Sequence, residues 1–418
     1  MSAVLGSAPR SDVLVAVGLV ALGLWSGATG LVVVGLLVVT TGALRSLWSQ
    51  RGTVALSYRR ELGAERAVWG DRIPLTLTVA NAKLLPLAWL RVDDYVSDEL
   101  VVEPLPTTPT ERPGIASLRT TWSLAPYEEV RRHATIVAER RGRFRFESVA
   151  LTVADLFGRS ATTVEQPLPA TLIVRPRTVP VQVLGPAALP FGPRRIRQGL
   201  VEDPALFAGV RPFQRGDPRR RVHERATARL GRPVSKRFEP SAVRDVVIAL
   251  DIQTLPGPIW RLQWDDDLVE GLAVAAGSLA RRILDDGSAC GLAVNAWTYQ
   301  PDRIGFVAPR AGPGQLARLL DLLGRMSPVP SIPAGRMLGA VARRIPAGSL
   351  VVTMSGRDPS ELGPALRRLR ASGFELLHVA VGREATAHAA TARRLGVPVR
   401  VAGLAPDWRR CDVLELVA

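Results

Sequence analysis

The stretch Val246-Val-Ile-Ala-Leu-Asp251 sets five apolar residues in a row and closes them with a carboxylate. Such a run fits a strand buried on both faces, as strands of parallel sheets are. Downstream, residues 265–284 carry apolar side chains at Leu268, Leu272, Ala275 and Leu279, the spacing of a helix face. The pattern then alternates: strands at 290–294 and 304–307, helices at 314–325 and 337–344, a strand at 350–353, a helix at 361–371 and a strand at 375–381. Strands separated by helices predict an α/β domain over 241–418, with a mostly parallel sheet wrapped by helices.

Immediately upstream, residues 201–240 contain Phe207-Ala-Gly-Val-Arg-Pro-Phe-Gln-Arg-Gly-Asp-Pro-Arg-Arg-Arg-Val-His-Glu-Arg-Ala-Thr-Ala-Arg229. Seven arginines, Arg211, Arg215, Arg219, Arg220, Arg221, Arg225 and Arg229, surround one turn signal, Gly216-Asp217-Pro218. Asp217 is suited to cap a helix and Pro218 to open it, because proline's missing N–H has no partner there anyway. A helix over 218–230 would align Val222, Ala226 and Leu230 on one face and Arg221, Arg225 and Arg229 on a neighbouring one. Gly231 would end it. Arginines in this pattern serve either as a clamp between domains, paired with acids such as Glu202, Asp203, Asp217, Glu224 and Glu239, or as recognition groups for a partner's carboxylates or phosphates.

Further toward the N-terminus, Pro176, Pro180, Pro186 and Pro190 make 176–200 an extended connector. Residues 51–175 read as an antiparallel β-sandwich of six to eight strands. Ile73 to Val79, Trp89 to Val92, Ala134 to Val137 and Ser148 to Val153 alternate, with turn signals such as Gly70-Asp71 and Asn81 between them. From Val13 to Leu44 there is no charge, and Ser26-Gly-Ala-Thr-Gly30 interrupts the apolar run. One straight helix of that length would reach about 48 Å, beyond the roughly 30 Å hydrocarbon core. Residues 1–50 are therefore expected to form a transmembrane hairpin of two short helices, or else one tilted span, with Trp25 and Trp48 as interface anchors. Arg45, Arg51, Arg59 and Arg60 on the C-terminal flank would keep the soluble domains in the cytoplasm, beneath the cell membrane. The expected fold class is α+β multidomain: membrane hairpin, β-sandwich, connector, arginine motif and α/β domain.

The arginine motif resembles the signature of the domain of unknown function 58 family, which runs roughly Arg-x-Tyr-x-x-Gly-Asp, Arg-x-Ile-His/Asp-Trp and Ala-Arg. Arg211, Gly216, Asp217, Arg221, His223, Ala228 and Arg229 match, while Phe213, Val222 and Glu224 depart from it. Gly70-Asp71, Asn81, residues 140–144 and Asp155-Leu-Phe-Gly158 are similar to that family's β-domain, with Leu156 where proline is common. The resemblance implies a von Willebrand factor A-like domain for the C-terminal half. It also implies a membrane-anchored, non-enzymatic interaction or assembly factor that works with a MoxR-type AAA+ ATPase on client complexes. Arg211, Gly216, Asp217, Arg219, Arg221, His223 and Arg229 are its expected partner-binding or interdomain residues.

A metal-binding von Willebrand A domain offers Asp-x-Ser-x-Ser at the end of its first strand. Here Asp251, Gln253 and Leu255 stand in that pattern, with Ser355 at a later strand end. Asp251, Gln253 and Ser355 therefore read as a degenerate remnant, because a hard cation needs several converging oxygens. Asp251 then serves as a polar strand-end or helix-capping group. Asp265-Asp-Asp267 fits the positive end of a helix dipole, and Gly312-Pro-Gly-Gln-Leu-Ala317 a loop leading into a helix. There is no Gly-x-Ser-x-Gly elbow and no phosphate loop. His133, His223, His378 and His388 are scattered, and Cys290 and Cys411 lack metal or redox spacing. No catalytic residue, cofactor or metal is expected. The net charge of +16 comes almost wholly from arginine, only Lys83 and Lys236 being lysines, and suggests a nucleic-acid or polyanion binder as the alternative. The basic residues are spread without interleaved aromatics, which argues against specific nucleic acid. A metal-dependent enzyme is the remaining alternative, disfavoured by the missing ligands.

Overall fold

The structure is a computed structural model that describes residues 10–154, 161–184, 194–195, 202–214, 217, 222–242, 245–259, 263–298, 302–403 and 408–418. The chain divides into two compact units, Met1–Val174 and Arg175–Ala418.

The first unit opens with α1 (Arg10–Ser26) and α2 (Thr29–Arg51), paired across a turn at Gly27. Gly35 lets the helices approach closely, since a Cβ there would stand 2.5 Å from Val20 Cγ2. The membrane expectation is corrected at this point: among the described residues, no helix is long and apolar enough to cross a membrane. The 17 residues of α1 reach about 26 Å, short of a roughly 30 Å hydrocarbon core. In α2 the apolar run 31–39 gives way to Thr40-Thr-Gly42. Trp48, expected as an interface anchor, is instead buried and donates from Nε1 to the Pro86 carbonyl at 3.2 Å. The transmembrane hairpin of the expected fold class is therefore not supported by the described residues. The membrane location and cytoplasmic sidedness lose the span on which they rested.

The rest of this unit is an antiparallel β-sandwich. One sheet has the order β1-β3-β8-β5, from β1 (Leu56–Leu62), β3 (Arg72–Asn81), β8 (Glu129–Val137) and β5 (Val101–Glu103). The other has the order β2-β10-β9-β4-β7-β6, from β2 (Arg66–Val68), β10 (Ala161–Arg175), β9 (Gly142–Ala154), β4 (Leu87–Ser97), β7 (Ile115–Leu124) and β6 (Thr107–Pro109). Alternating inward residues such as Leu75, Leu77, Val79, Leu90 and Val92 fill one core between the sheets. Within it, Tyr58 on β1 and Asp94 on β4 share a 2.9 Å hydrogen bond, and Arg60 of β1 pairs with the same carboxylate. The expected turn at Asp155-Leu-Phe-Gly158 lies outside the described residues.

The second unit centres on an eight-stranded sheet of order β11-β21-β20-β19-β18-β15-β16-β17. Its strands are β11 (Val181–Leu184), β15 (Asp245–Asp251), β16 (Ala289–Val294), β17 (Gly305–Arg310), β18 (Leu350–Ser355), β19 (Glu375–Val381), β20 (Val399–Gly403) and β21 (Leu414–Val417). The run from β20 to β16 is parallel, while β17 and β21 lie antiparallel to β16 and β20. Helix α4 (Asp266–Asp285), buried along most of its length, packs against α5 (Gln315–Arg325) and the central strands. Helices α6 (Ala334–Ala342) and α7 (Gly363–Ala371) share a core with Val247, Ala249 and Val351. Helix α8 (Ala385–Arg394) covers β19 and β20. Part of the expected connector belongs to this sheet: β11 pairs in parallel with β21, and Val179 N–H donates to Ser278 Oγ at 2.9 Å. A small third sheet, β12-β14-β13, is made from β12 (Arg194–Arg195), β14 (Val234–Ala242) and β13 (Glu202–Pro212), with α3 (Glu224–Leu230) beside it.

Candidate functional site

From β15 the chain runs through α4 to β16 on one side and later returns through β18 on the other. Strand order reverses between β15 and β18, the place where open α/β sheets form a crevice at their carboxyl ends. Asp251 and Ser355 are register partners at this point, and Asn295 directly follows β16.

Asp251 is 2% exposed, so its carboxylate must be satisfied from within. Oδ1 accepts from Asn295 Nδ2 at 2.8 Å and from the Gln253 N–H at 3.2 Å. Oδ2 accepts from Ser355 Oγ at 3.2 Å and from Arg357 Nε at 2.9 Å. Arg357 is itself buried, and its Nη1 reaches Glu361 Oε2 at 2.5 Å. Burial opposes the guanidinium charge, but the carboxylates of Asp251 and Glu361 outweigh it and hold its pKa above the usual arginine value.

The structure thus brings Asp251 and Ser355 together, and Gln253 contributes only its backbone N–H. The Gln253 side chain turns to its own loop, donating to Gly257 O at 2.6 Å and Leu255 O at 3.3 Å. A divalent cation does not fit this set. Mg²⁺ requires near-octahedral oxygens at about 2.0–2.1 Å, whereas the one carboxylate already faces a built-in cation. Arg357 and Asn295 were not singled out by the sequence reading. The only available signal was an arginine two positions beyond Ser355, at the end of an apolar strand.

Beside this network lies a cleft of about 780 Å³, bordered by Thr254, Leu255, Asp265, Leu268, Gly356 and Gly382. Leu268 sits so close to the strand ends that a Cβ on Gly356 would stand 2.7 Å from its Cδ2. Of the three acids opening α4, Asp265 caps the helix by accepting from Leu268 N–H at 3.1 Å. Asp266 accepts from Trp264 Nε1 at 2.8 Å, and Asp267 from Arg409 Nη1 at 3.0 Å.

In the arginine motif the helix start expected after Asp217 lies outside the described residues, and the Asp217 carboxylate is held by side chains and one backbone N–H. Arg211 grips it in bidentate fashion, at 2.9 Å from Nη1 and 2.6 Å from Nη2. The Gln214 N–H and Ser235 Oγ add bonds of 3.0 and 2.8 Å. Arg211 first, then these donors, hold the Asp217 carboxyl well below the usual carboxylate range. The helix expected over 218–230 is described only as α3, because Val222 is bridged to Ser235 and the His223 N–H donates to Val234 O, which keeps that backbone extended. His223 takes the capping role, its Nδ1 accepting from Ala226 N–H at 3.2 Å, and Gly231 ends the helix at φ +63°. Leu230, expected on an apolar face, is 52% exposed. Arg229 is exposed in the last turn, while Gly216, Arg219 and Arg221 lie outside the described residues.

Two of the scattered histidines meet in space. His378 is fully buried, with Nδ1 3.0 Å from Thr353 Oγ1. Burial, then the nearby His388, push its pKa down to about 4. Burial alone pushes the Cys290 thiol up to about 12, which leaves it unreactive at neutral pH.

No family model matches the chain, and no curated protein does. Solved structures show partial likenesses. A CARDB domain from Pyrococcus furiosus is 16% identical over 28% of this chain and 91% of its own, at a TM-score of 0.20. A cohesin module from a family 33 glycoside hydrolase of Clostridium perfringens is 6% identical, covering 30% and 100%, at 0.22. A sporulation control protein of Bacillus subtilis is 13% identical, covering 29% and 49%, at 0.18. Scores this low carry no functional argument, and the β-sandwich rests on the two sheets described above.

Proposed function

We propose that this chain is a non-enzymatic protein-interaction factor of the domain of unknown function 58 type, with a von Willebrand factor A-like C-terminal half, acting with a MoxR-type AAA+ ATPase on client complexes. The observation that carries the reading is the state of Asp251. Its four hydrogen bonds leave no free carboxylate for a metal or a proton transfer, while the adjoining cleft leaves a shaped surface at the strand ends. A polar cleft beside a carboxylate that is already satisfied suits recognition. Any energy input then comes from the ATPase partner, because the sequence has no phosphate loop.

The test uses the full chain and a purified MoxR-type ATPase from the same organism. Association is expected in at least one nucleotide state and is expected to weaken when Leu255, 40% exposed at the cleft, is changed to Asp. Absence of association with ATP, with ADP and without nucleotide would sink the reading.

A further inference from the structure

The arginine motif separates into two parts with different chemistry. Arg211 and Asp217 are spent on each other, with Ser235 and Gln214 completing the shell. Arg225, Arg229, Arg232 and Lys236 make no ion pair among the described residues, and the three arginines are exposed. Over 222–236 these four cations face a single acid, Glu224. Arg225 and Arg229 stand one helical turn apart on α3 and so share a face. Leu230 is 52% and Phe213 38% exposed. The Phe213 N–H donates to Pro233 O at 3.1 Å, which places it beside Arg232 and the end of α3. The segment is held in shape by the His223 cap, by the Val234 N–H donating to Thr227 Oγ1 at 3.1 Å, and by Gly231. Little ordering is therefore needed on binding.

We propose that this surface, where the Arg225–Arg229 face of α3 adjoins Leu230, Arg232 and Phe213, docks an acidic segment of a partner protein that also carries apolar side chains. The inference rests on the reading of the chain as a protein-interaction factor and names the chemistry of one contact. Exposed arginines with no ion pair among the described residues supply bidentate donors for carboxylates, and the exposed aliphatic and aromatic side chains supply the apolar part of the contact. Nucleic acid is the poorer match, because base stacking needs a row of aromatic platforms and 207–236 holds only two phenylalanines, Phe207 and Phe213.

The probe is a fluorescein-labelled helical peptide with glutamates on one face and leucines on the other, titrated into the full chain. Binding is expected to weaken with salt and to fall roughly tenfold or more in Arg225→Glu/Arg229→Glu, since like charges facing across a contact repel. Leu230→Ser is expected to weaken it as well. Both variants change exposed residues, and their melting curves should match the parent's. Unchanged affinity in the double variant would overturn the proposal. So would equal affinity for polyglutamate or duplex DNA, either of which would make this a general polyanion surface. Peptide binding that persists while the ATPase fails to associate would reject the ATPase reading and leave this one standing.

Discussion

Arg357 and Asp251 form a buried pair with side chains 8% and 2% exposed, and such pairs are costly to break from one side. Arg357→Ala leaves an uncompensated carboxylate inside the protein, an expected loss of about 3–5 kcal/mol in urea melts. Arg357→Ala/Asp251→Ser should recover part of that loss, and no recovery would mean that the arginine acts through packing alone. His378 gives a pH dependence of known sign. Its folded pKa of about 4 lies below the ordinary 6.5, so the unfolded chain takes up the proton first as pH falls. Stability from this residue is flat above pH 6.5, declines toward pH 4, and is lower by about 2 kcal/mol at pH 5. His378→Leu should flatten urea midpoints between pH 7 and 5, and an unchanged slope would assign the dependence to other groups. At this scale the sequence was half legible. Asp251, Gln253 and Ser355 stood out because strand ends and metal patterns are local. Arg357 and Asn295 did not, because their meaning depends on three strands ending side by side.

Among the elements, the strand expected at 246–250 and the helix expected at 265–284 correspond to β15 (Asp245–Asp251) and α4 (Asp266–Asp285). Both have strong apolar periodicity, and in α4 Asp265 supplies a side-chain cap. The helix start expected at Pro218 lies outside the described residues; within them Val222 and His223 are held extended against Ser235 and Val234, and α3 begins at Glu224. Asp217 has the chemistry of a cap, and its carboxylate is held by Arg211 and Ser235. Gly231 sits at φ +63° with open space around its Cβ position. Gly231→Ala is therefore expected to cost about 1 kcal/mol through backbone strain alone, measured as a lower urea midpoint with an unchanged slope. A neutral result would show that the α3 end does not need this conformation. Gly356→Ala acts differently, since its Cβ would collide with Leu268. Melting temperature is expected to fall, and contacts in the strand-end cleft to change with it.

Over the whole molecule, the chain divides into two compact units after Val174. Composition misled at the N-terminus. An uncharged run of residues 13–44 reads as membrane from hydropathy, yet α1 is short and Trp48 at the far end of α2 is buried against Pro86. The charge of +16 was equally uninformative until individual arginines could be sorted into paired ones, such as Arg60, Arg211 and Arg357, and ones with no ion pair among the described residues, such as Arg225 and Arg229.

Arg357 stands as the built-in cation of the strand-end site, paired with Asp251. The most direct test of that role is the melting temperature of the full chain in EDTA and in millimolar Mg²⁺ or Mn²⁺, because a ligand that binds only the folded state raises it. The same temperature is expected in all three conditions. A rise of several degrees with either cation, abolished by Asp251→Ala, would contradict it.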